Sequence, residues 1–446
     1  MSCKKPRIDR ALRFAATMAL LPATVPAATL RVPVDYPTIQ KGLDVAAFGD
    51  TVLVAPGIYT DSEVRFEGGF PVISCAYMTD GVVLRSEDGS AHTTIDMLGA
   101  SGGGPAAVVR ARELSSPGTS VEGFTITGAP AGYRGAYVAQ VSHVTFRDCV
   151  FRDLDAGASS GAGLAANGDV DVVDCEFVNC RADHGGGLYH SNGHLNLIRS
   201  RFSQCGSRGA LLDGVLGGPG ESAVVEECEF VDNWSDAGGG GMVVYAYNLG
   251  ATIRNCRFEG NTSYEYGGGG LSVKGSGAKL VENCLFIANA TTGVGQGGGL
   301  SALGSGSCIV RGNTFYANSN TYVLGGASLY GAGLTLQLDN NLVTGSVGES
   351  AIFVWTDVSL TTSCNVYWDN PTGVGIPLSP TDREIDPLYC DPESGDFTVQ
   401  ENSPCVEPGA LGCGQIGAFP AGCGIVSVES SPWSQIKDLY RRGETP

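Results

Sequence analysis

The 446-residue chain is short of charge, and of positive charge most of all. Charged side chains make up 16% of it, and 27 Lys and Arg stand against 46 Asp and Glu, for a net charge of −19. So acidic a surface repels nucleic acid and anionic membrane, which excludes both as partners. Lysine is too sparse for a protein of long amphipathic helices. Beyond residue 27 no apolar run is long enough to cross a bilayer. What the chain has in excess is glycine, 66 of 446 residues, about 15% and roughly twice ordinary usage. That glycine has no Gly-X-Y period and comes with 43% hydrophobic residues, so collagen and plain disorder are excluded. Together with many Val, Thr and Asn it favours β-structure with many tight turns.

The first residues read as a secretion signal. Lys4, Lys5, Arg7, Arg10 and Arg13 precede an apolar run from Phe14 to Ala27, with Val25 and Ala27 placed three and one residues before a cleavage point. The run is short and broken by Pro22 and Pro26, so no permanent membrane span is expected of it. Removing residues 1–27 takes away five basic residues and Asp9, a net +4, and −19 becomes −23. The expected protein is secreted or held at the cell surface. Its fourteen remaining cysteines then sit where disulfides persist.

An internal repeat governs the rest. A small or polar residue, any residue and an aromatic recur as Cys149-Val150-Phe151, Cys175-Glu176-Phe177, Ser200-Arg201-Phe202, Cys228-Glu229-Phe230, Cys256-Arg257-Phe258, Cys284-Leu285-Phe286 and Asn313-Thr314-Phe315. The pattern fades at Asn341-Leu342-Val343 and Asn365-Val366-Tyr367, and successive copies lie 24 to 29 residues apart. Three residues past the aromatic stands Asn233, Asn261, Asn289, Asn318 or Asn370, with Cys180 and Cys205 in the same slot. A glycine run closing on an apolar residue follows, at Gly185–Leu188, Gly238–Met242, Gly267–Leu271 and Gly297–Leu300, and more weakly at Gly325-Gly326-Ala327. Apolar residues alternate within each unit, which is strand periodicity. A unit of this size cannot bury itself, but equivalent strands stacked into parallel sheets can. Phe and Leu then form interior stacks, the asparagines a ladder, and glycines supply the positive φ of the corners. The predicted fold is all-β: a single-stranded right-handed parallel β-helix of about 10–13 coils.

The F-x-x-N and G-G-[small]-[apolar] unit resembles the polymorphic outer-membrane protein repeat of exported bacterial β-helices. The run Tyr36-Pro-Thr-Ile-Gln to Gly49-Asp-Thr-Val-Leu-Val-Ala-Pro-Gly-Ile-Tyr59 resembles the opening of pectin-lyase-like β-helix proteins. The two resemblances cover residues 29–390. They imply the fold and little about activity, since this fold hosts lyases, hydrolases, esterases, epimerases, adhesins and inert spacers. No membrane β-barrel follows the repeats, so a self-exporting autotransporter is not expected. The N-T-D, G-H-G and R-I-K runs of polygalacturonase-like hydrolases are absent. So are W-x-D-H and R-x-P-x-x-R of pectate lyases, D-F-I-F-G of pectin methylesterases and D-P-H of mannuronan epimerases.

The expected organisation is a signal over 1–27, the β-helix over 28–390, a Cys-, Pro- and Gly-rich cap over 391–424 and a tail over 425–446. Thr38–Ala47 predicts a short helix over the first coil. Cysteines stacked in the coil, such as Cys228, Cys256 and Cys284, read as small buried hydrophobes, because adjacent strands hold Cβ atoms farther apart than a disulfide prefers. A bond between Cys180 and Cys205, at a yielding turn, is more credible. Two disulfides are expected among Cys390, Cys405, Cys413 and Cys423, with three possible pairings.

Two features carry chemistry. Between Arg147 and Asp213 lie six arginines and three of the five histidines, His184, His190 and His194. Counted from the glycine motif, His190 and Asp213 replace aliphatic residues on neighbouring coils, the arrangement of an Asp-oriented general base. No ligand spacing supports a metal site there. Trp234, Tyr264, Tyr266 and Tyr322 fall in one corner of successive coils, with Tyr189, Tyr245 and Tyr247 just past it and Asp236 alongside. Exposed rings beside carboxylates suit sugar stacking. The candidate catalytic pair is therefore His190 and Asp213, and the candidate ligand-binding set is Arg181, His184, Tyr189, Arg208, Trp234, Asp236, Tyr264 and Tyr266. The favoured reading is a non-catalytic β-helix that binds polysaccharide or a cell-surface glycan. A polysaccharide lyase or glycoside hydrolase and a structural envelope protein are the alternatives. No cofactor is predicted; an acidic glycan would need a local basic patch or a bridging cation such as Ca2+.

Overall fold

The computed structural model describes residues 26–99, 106–114, 116, 118–139, 142–213, 222–247, 250–406 and 412–424. Residues 1–25 of the expected signal segment and the whole of 425–446, the expected tail, lie outside them. Each coil adds one strand to each of three long parallel sheets, of 13, 13 and 11 strands. In a typical coil the first sheet receives Ser222–Glu226, the second Glu229–Val231 and the third Met242–Tyr245. The next coil contributes Gly250–Arg254, Arg257–Glu259 and Leu271–Lys274. The result is a parallel β-helix of about 11 coils.

Helix Ile39–Val45 closes the N-terminal end. The Thr38 hydroxyl accepts from Lys41 N at 3.2 Å and caps it, while Ile39 and Leu43 bury against the first coil. Gln40 lends its amide oxygen to the Tyr77 backbone N–H at 2.7 Å, which ties off the first strand of the third sheet.

Seven phenylalanines from Phe151 to Phe315 stack through the interior, with ring centroids 4.5 to 5.0 Å apart and planes within 7°. Beside them run two polar columns. In one, Asn289 accepts at Oδ1 from the backbone N–H and side-chain amide of Asn261, at 3.1 and 2.9 Å. It donates through Nδ2 to Asn318 Oδ1 at 3.0 Å and to the Phe258 carbonyl at 2.9 Å. Asn233, Asn261, Asn289 and Asn318 are thus the rungs of the expected ladder. The second column begins as thiols and ends as amides. Cys228, Cys256 and Cys284 donate S–H to carbonyls of the preceding coil at 3.4 to 3.7 Å, and Asn313, Asn341 and Asn365 do the same with N–H at 2.8 to 3.0 Å. It terminates on Asp382, whose Oδ1 accepts both N–H groups of Asn365. Burial opposes the charge on Asp382, yet the bonds from Asn365, Thr362 and Ser379 hold its carboxyl below the ordinary range.

Two expectations need correction and one needs widening. The corners take positive φ from Asp and Asn, as at Asp174, Asp232, Asn255 and Asn283, as well as from glycine, as at Gly185, Gly238, Gly239, Gly260 and Gly312. The run glycines answer a second need as well. A Cβ on Gly241 would lie 2.5 Å from the Gly270 carbonyl, so the coils approach too closely there for any side chain. Cys180 and Cys205 are buried and unbonded, their thiols turned to the carbonyls of Phe151 and Phe177. The strand spacing that keeps the other stacked cysteines apart holds at this turn too. The two disulfides are Cys364–Cys413 and Cys390–Cys423. Cys405 instead buries in an apolar cluster with Leu342, Val366 and Ile416, while Cys364 sits at a corner facing Cys413.

The outer faces carry charges in alternating sign. In the first sheet Glu226, Arg254, Glu282, Arg311 and Asp339 are consecutive register partners. In the second sheet Glu176, Arg201, Glu229 and Arg257 alternate likewise, and the column then turns apolar at Leu285. The C-terminal segment folds back along that apolar stretch as a strap. Ile416, Val399 and Cys405 pack on Leu342 and Val366, and Phe397 on Leu285 and Ile287. Asn340 Nδ2 donates to the Cys413 and Gln415 carbonyls at 2.7 and 2.9 Å. Burial pushes the Cys405 thiol up to about 11, so it is unreactive while covered. Replacing Cys364 and Cys413 with serine is expected to loosen the strap and open Cys405 to iodoacetamide while Cys228, Cys256 and Cys284 stay protected. Equal protection of Cys405 with and without the disulfide would show that apolar packing alone holds it.

Candidate functional site

Strand alternation in the third sheet sorts its side chains into an inner and an outer set. Ala166, His190, Leu212 and Val244 are successive register partners in one column, and Ala166, Leu212 and Val244 belong to the core. His190 is therefore an inward residue, 5% exposed, with Nε2 3.1 Å from the Gly168 carbonyl. It lines, with Leu212, Ala223 and Ala251, a narrow cavity with room for about one water. Asp213 is the register partner of Tyr245, one residue further on and on the opposite face. The His190–Asp213 pair is thus not formed. The cause is a slip of one residue: Ala210, not Leu211, fills the position held by Leu188 on the coil before.

On the outer face a different group assembles. The Tyr189 hydroxyl lies 3.4 Å from Asp213 Oδ2, and Asp213 Oδ1 is buried with no hydrogen-bond partner among the described residues. Asp213, Tyr245 and Lys274 follow one another on successive coils. The Lys274 ammonium lies 5.5 Å from the centre of the Tyr245 ring and donates to the Tyr266 carbonyl at 3.0 Å. Tyr247 stacks beside Tyr245 at 5.8 Å. Arg208, 5% exposed, donates Nε and Nη2 to the Gly238 and Ala237 carbonyls at 3.1 Å each. Its φ of +86° and that of Ser207 at +57° are strained for side-chain-bearing residues, a feature that clusters at functional sites.

Electrostatics follow from this crowding. Burial, and then Arg208, push the Lys274 amine down to about 8. Burial also lowers Arg208, against the pull of Tyr245 and Asp213. The Tyr189 hydroxyl is raised by burial and by the Asp213 carboxylate. Arg208 and Lys274 against Asp213 leave one net positive charge, on a chain of net −19.

Of the residues singled out in the sequence, Tyr189, Arg208, Asp213, Tyr245 and Tyr247 meet here, and Tyr266 joins through its carbonyl. Arg181 lies 5.4 Å over the Trp234 ring, a separate pair, and that ring packs against Gly206. His184 and Asp236 are exposed at the corner, as is Tyr264. Lys274 was not legible as a site residue, although a signal existed. Between Lys41 and Lys437 the sequence holds only two lysines, Lys274 and Lys279, so each is worth a reason. Among the described residues no three His, Cys, Asp or Glu side chains gather as a metal site.

The sequence matches the family of right-handed β-helix regions over residues 113–262 and 212–367. Among solved structures it is similar to pectate lyase Pel9A at 14% identity and a TM-score of 0.41, covering 89% of this chain and 97% of that one. It is also similar to the A-module of the Azotobacter vinelandii mannuronan C-5 epimerase AlgE4, at 13% identity and a TM-score of 0.30, covering 76% and 91%. No curated protein matches it.

Proposed function

The chain belongs to the right-handed β-helix family, and from that footing we propose that it is an exported protein that binds acidic polysaccharide on the outer face of its third sheet, without catalysing a reaction on it. The observation that carries this reading is Lys274 against the Tyr245 ring and Arg208 within electrostatic reach of Tyr245 and of Asp213, which Tyr189 bonds, in an otherwise acidic protein. Tyrosine rings offer flat apolar surface to sugar C–H groups, and the two cations offer donors to carboxylates. In this reading the Asp213 carboxylate is the acceptor for a sugar hydroxyl.

Calorimetric titration of polygalacturonate and alginate, each with and without Ca2+, against neutral glucan tests it. Lys274→Ala is expected to cost about 2 kcal/mol of binding, the worth of a charge-assisted hydrogen bond, and so about thirtyfold in affinity. Because the Lys274 amine titrates near 8, affinity should fall as pH rises through about 8, and Lys274→Arg should flatten that dependence. Equal affinity of wild type and Lys274→Ala for every acidic glycan would sink the reading.

One observation favours a second reading, a polysaccharide lyase or hydrolase. A lysine with its amine pushed to about 8 is fit to take a proton at neutral pH. Shortened chains, or new unsaturated ends, after incubation with wild type but not with Lys274→Ala would establish it.

A further inference from the structure

The third sheet uses one tripeptide twice. Arg134-Gly135-Ala136 and Arg208-Gly209-Ala210 occupy the same structural position, since Ala136, Leu164, Leu188 and Ala210 are successive register partners. In the coils between them the arginine position is filled by Ala162 and Gly186. Both guanidiniums bond backbone carbonyls alone. Arg134 Nε donates to the Ser160 carbonyl at 2.7 Å, and Arg208 donates to those of Gly238 and Ala237. Among the described residues neither forms an ion pair, and terminal N–H groups stay unspent on both. Burial lowers the pKa of each; no carboxylate among the described residues acts on Arg134, and the pull of Asp213 on Arg208 does not offset its burial.

Their surroundings correspond. Beside Arg134 the Tyr137 ring lies 5.6 Å away, and the other face partner of that ring, Arg110 at 4.7 Å, is committed to Glu67 through two bonds of 2.6 Å. Arg112 is shared between Glu67 and Glu113. Three guanidiniums against two carboxylates leave one net positive charge at this end, as Arg208 and Lys274 against Asp213 do at the other. Between the two, the outer column holds Ala165, which is buried, and the part-exposed ring of Tyr189.

We propose that Arg134 and Arg208 are the two anchor points of a single linear polyanion laid along the axis of the third sheet. Three coils at about 4.8 Å each separate them by about 14 Å, which fixes the shortest ligand able to reach both. An acidic oligosaccharide too short for that span engages one arginine; a longer one gains the second at high effective concentration. The inference rests on the acidic-polysaccharide reading above and adds to it a second site and a minimum length.

Oligogalacturonides of increasing length, titrated into the full chain by calorimetry, separate the two. Affinity is expected to step up by tenfold or more once the oligomer exceeds about 14 Å. Arg134→Ala, which installs the residue that Ala162 already supplies on the next coil, should abolish the step while short oligomers bind as before. Arg134→Gln, which keeps a donor for the Ser160 carbonyl, should do the same. A smooth length dependence, or long-oligomer affinity unchanged in both variants, overturns the two-anchor proposal and leaves the binding reading standing. Absence of binding at every length overturns both.

Discussion

Replacing Asn289 with alanine is expected to destabilise the protein by about 4 kcal/mol. Asn289 is fully buried and sits between two other rungs. Its removal leaves the Asn261 backbone N–H with no acceptor and strips one partner each from the Asn261 side-chain amide, the Phe258 carbonyl and the Asn318 side chain. Each buried polar group left unpaired costs about 1–3 kcal/mol, and four are touched, three of them only in part. Asn370 offers the contrast. It is part-exposed, accepts from Ser346 N and donates to the Val343 carbonyl, so water can replace what it gives. Asn370→Ala should cost about 1 kcal/mol. Urea denaturation of the two variants, with hydrogen exchange at the Asn261 amide, measures the difference. Equal costs at the two positions would mean that the ladder is not a cooperative element.

The second large effect belongs to the phenylalanine stack. Phe258 is fully buried, with a ring 4.9 Å above and another 4.9 Å below. Phe258→Ala empties a space that neighbouring coils cannot fill, because each is already fixed by its own hydrogen bonds, and about 4 kcal/mol should be lost. Phe258→Leu should recover more than half of that, since the same column accepts Ile95, Ile126 and Val343 at its ends. In a repeat protein each coil contacts only its neighbours, so hydrogen exchange should rise around residues 230–286 and stay unchanged near Ile95. A uniform rise along the chain would instead show that the solenoid opens as one unit.

The columns named in these tests are legible in the sequence. A spacing that keeps Phe230, Phe258 and Phe286 in phase leaves few arrangements open, and Thr38 ahead of an apolar pattern marks a helix start as an N-cap does. The site was harder to read. Its register depends on Ala210 filling a leucine position, and a count that takes Leu211 instead sends His190 and Asp213 to one face rather than two. The disulfide partner Cys364 was hidden because it falls where the repeat continues, not in the cysteine-rich segment it tethers. The strap had a signal that spacing alone does not weigh: Leu285 stands where charge should have continued after Arg257. The glycine run serves the positive φ expected of it at Gly185, Gly238 and Gly239, and also a need the sequence did not display, the closeness of neighbouring backbones.

The alternating charges of the first sheet bear on how such a chain can change its length. The Phe and Asn columns repeat with every coil, whereas Glu226, Arg254, Glu282, Arg311 and Asp339 repeat with every second one. Deleting the single coil that carries Glu282 would preserve both interior columns and yet set Arg254 against Arg311. Deleting two coils would set Glu226 against Arg311 and restore attraction. Like charges directly opposite each other destabilise a sheet. Parity, and not only period, is therefore written into the surface: the solenoid grows or shrinks most readily by pairs of coils.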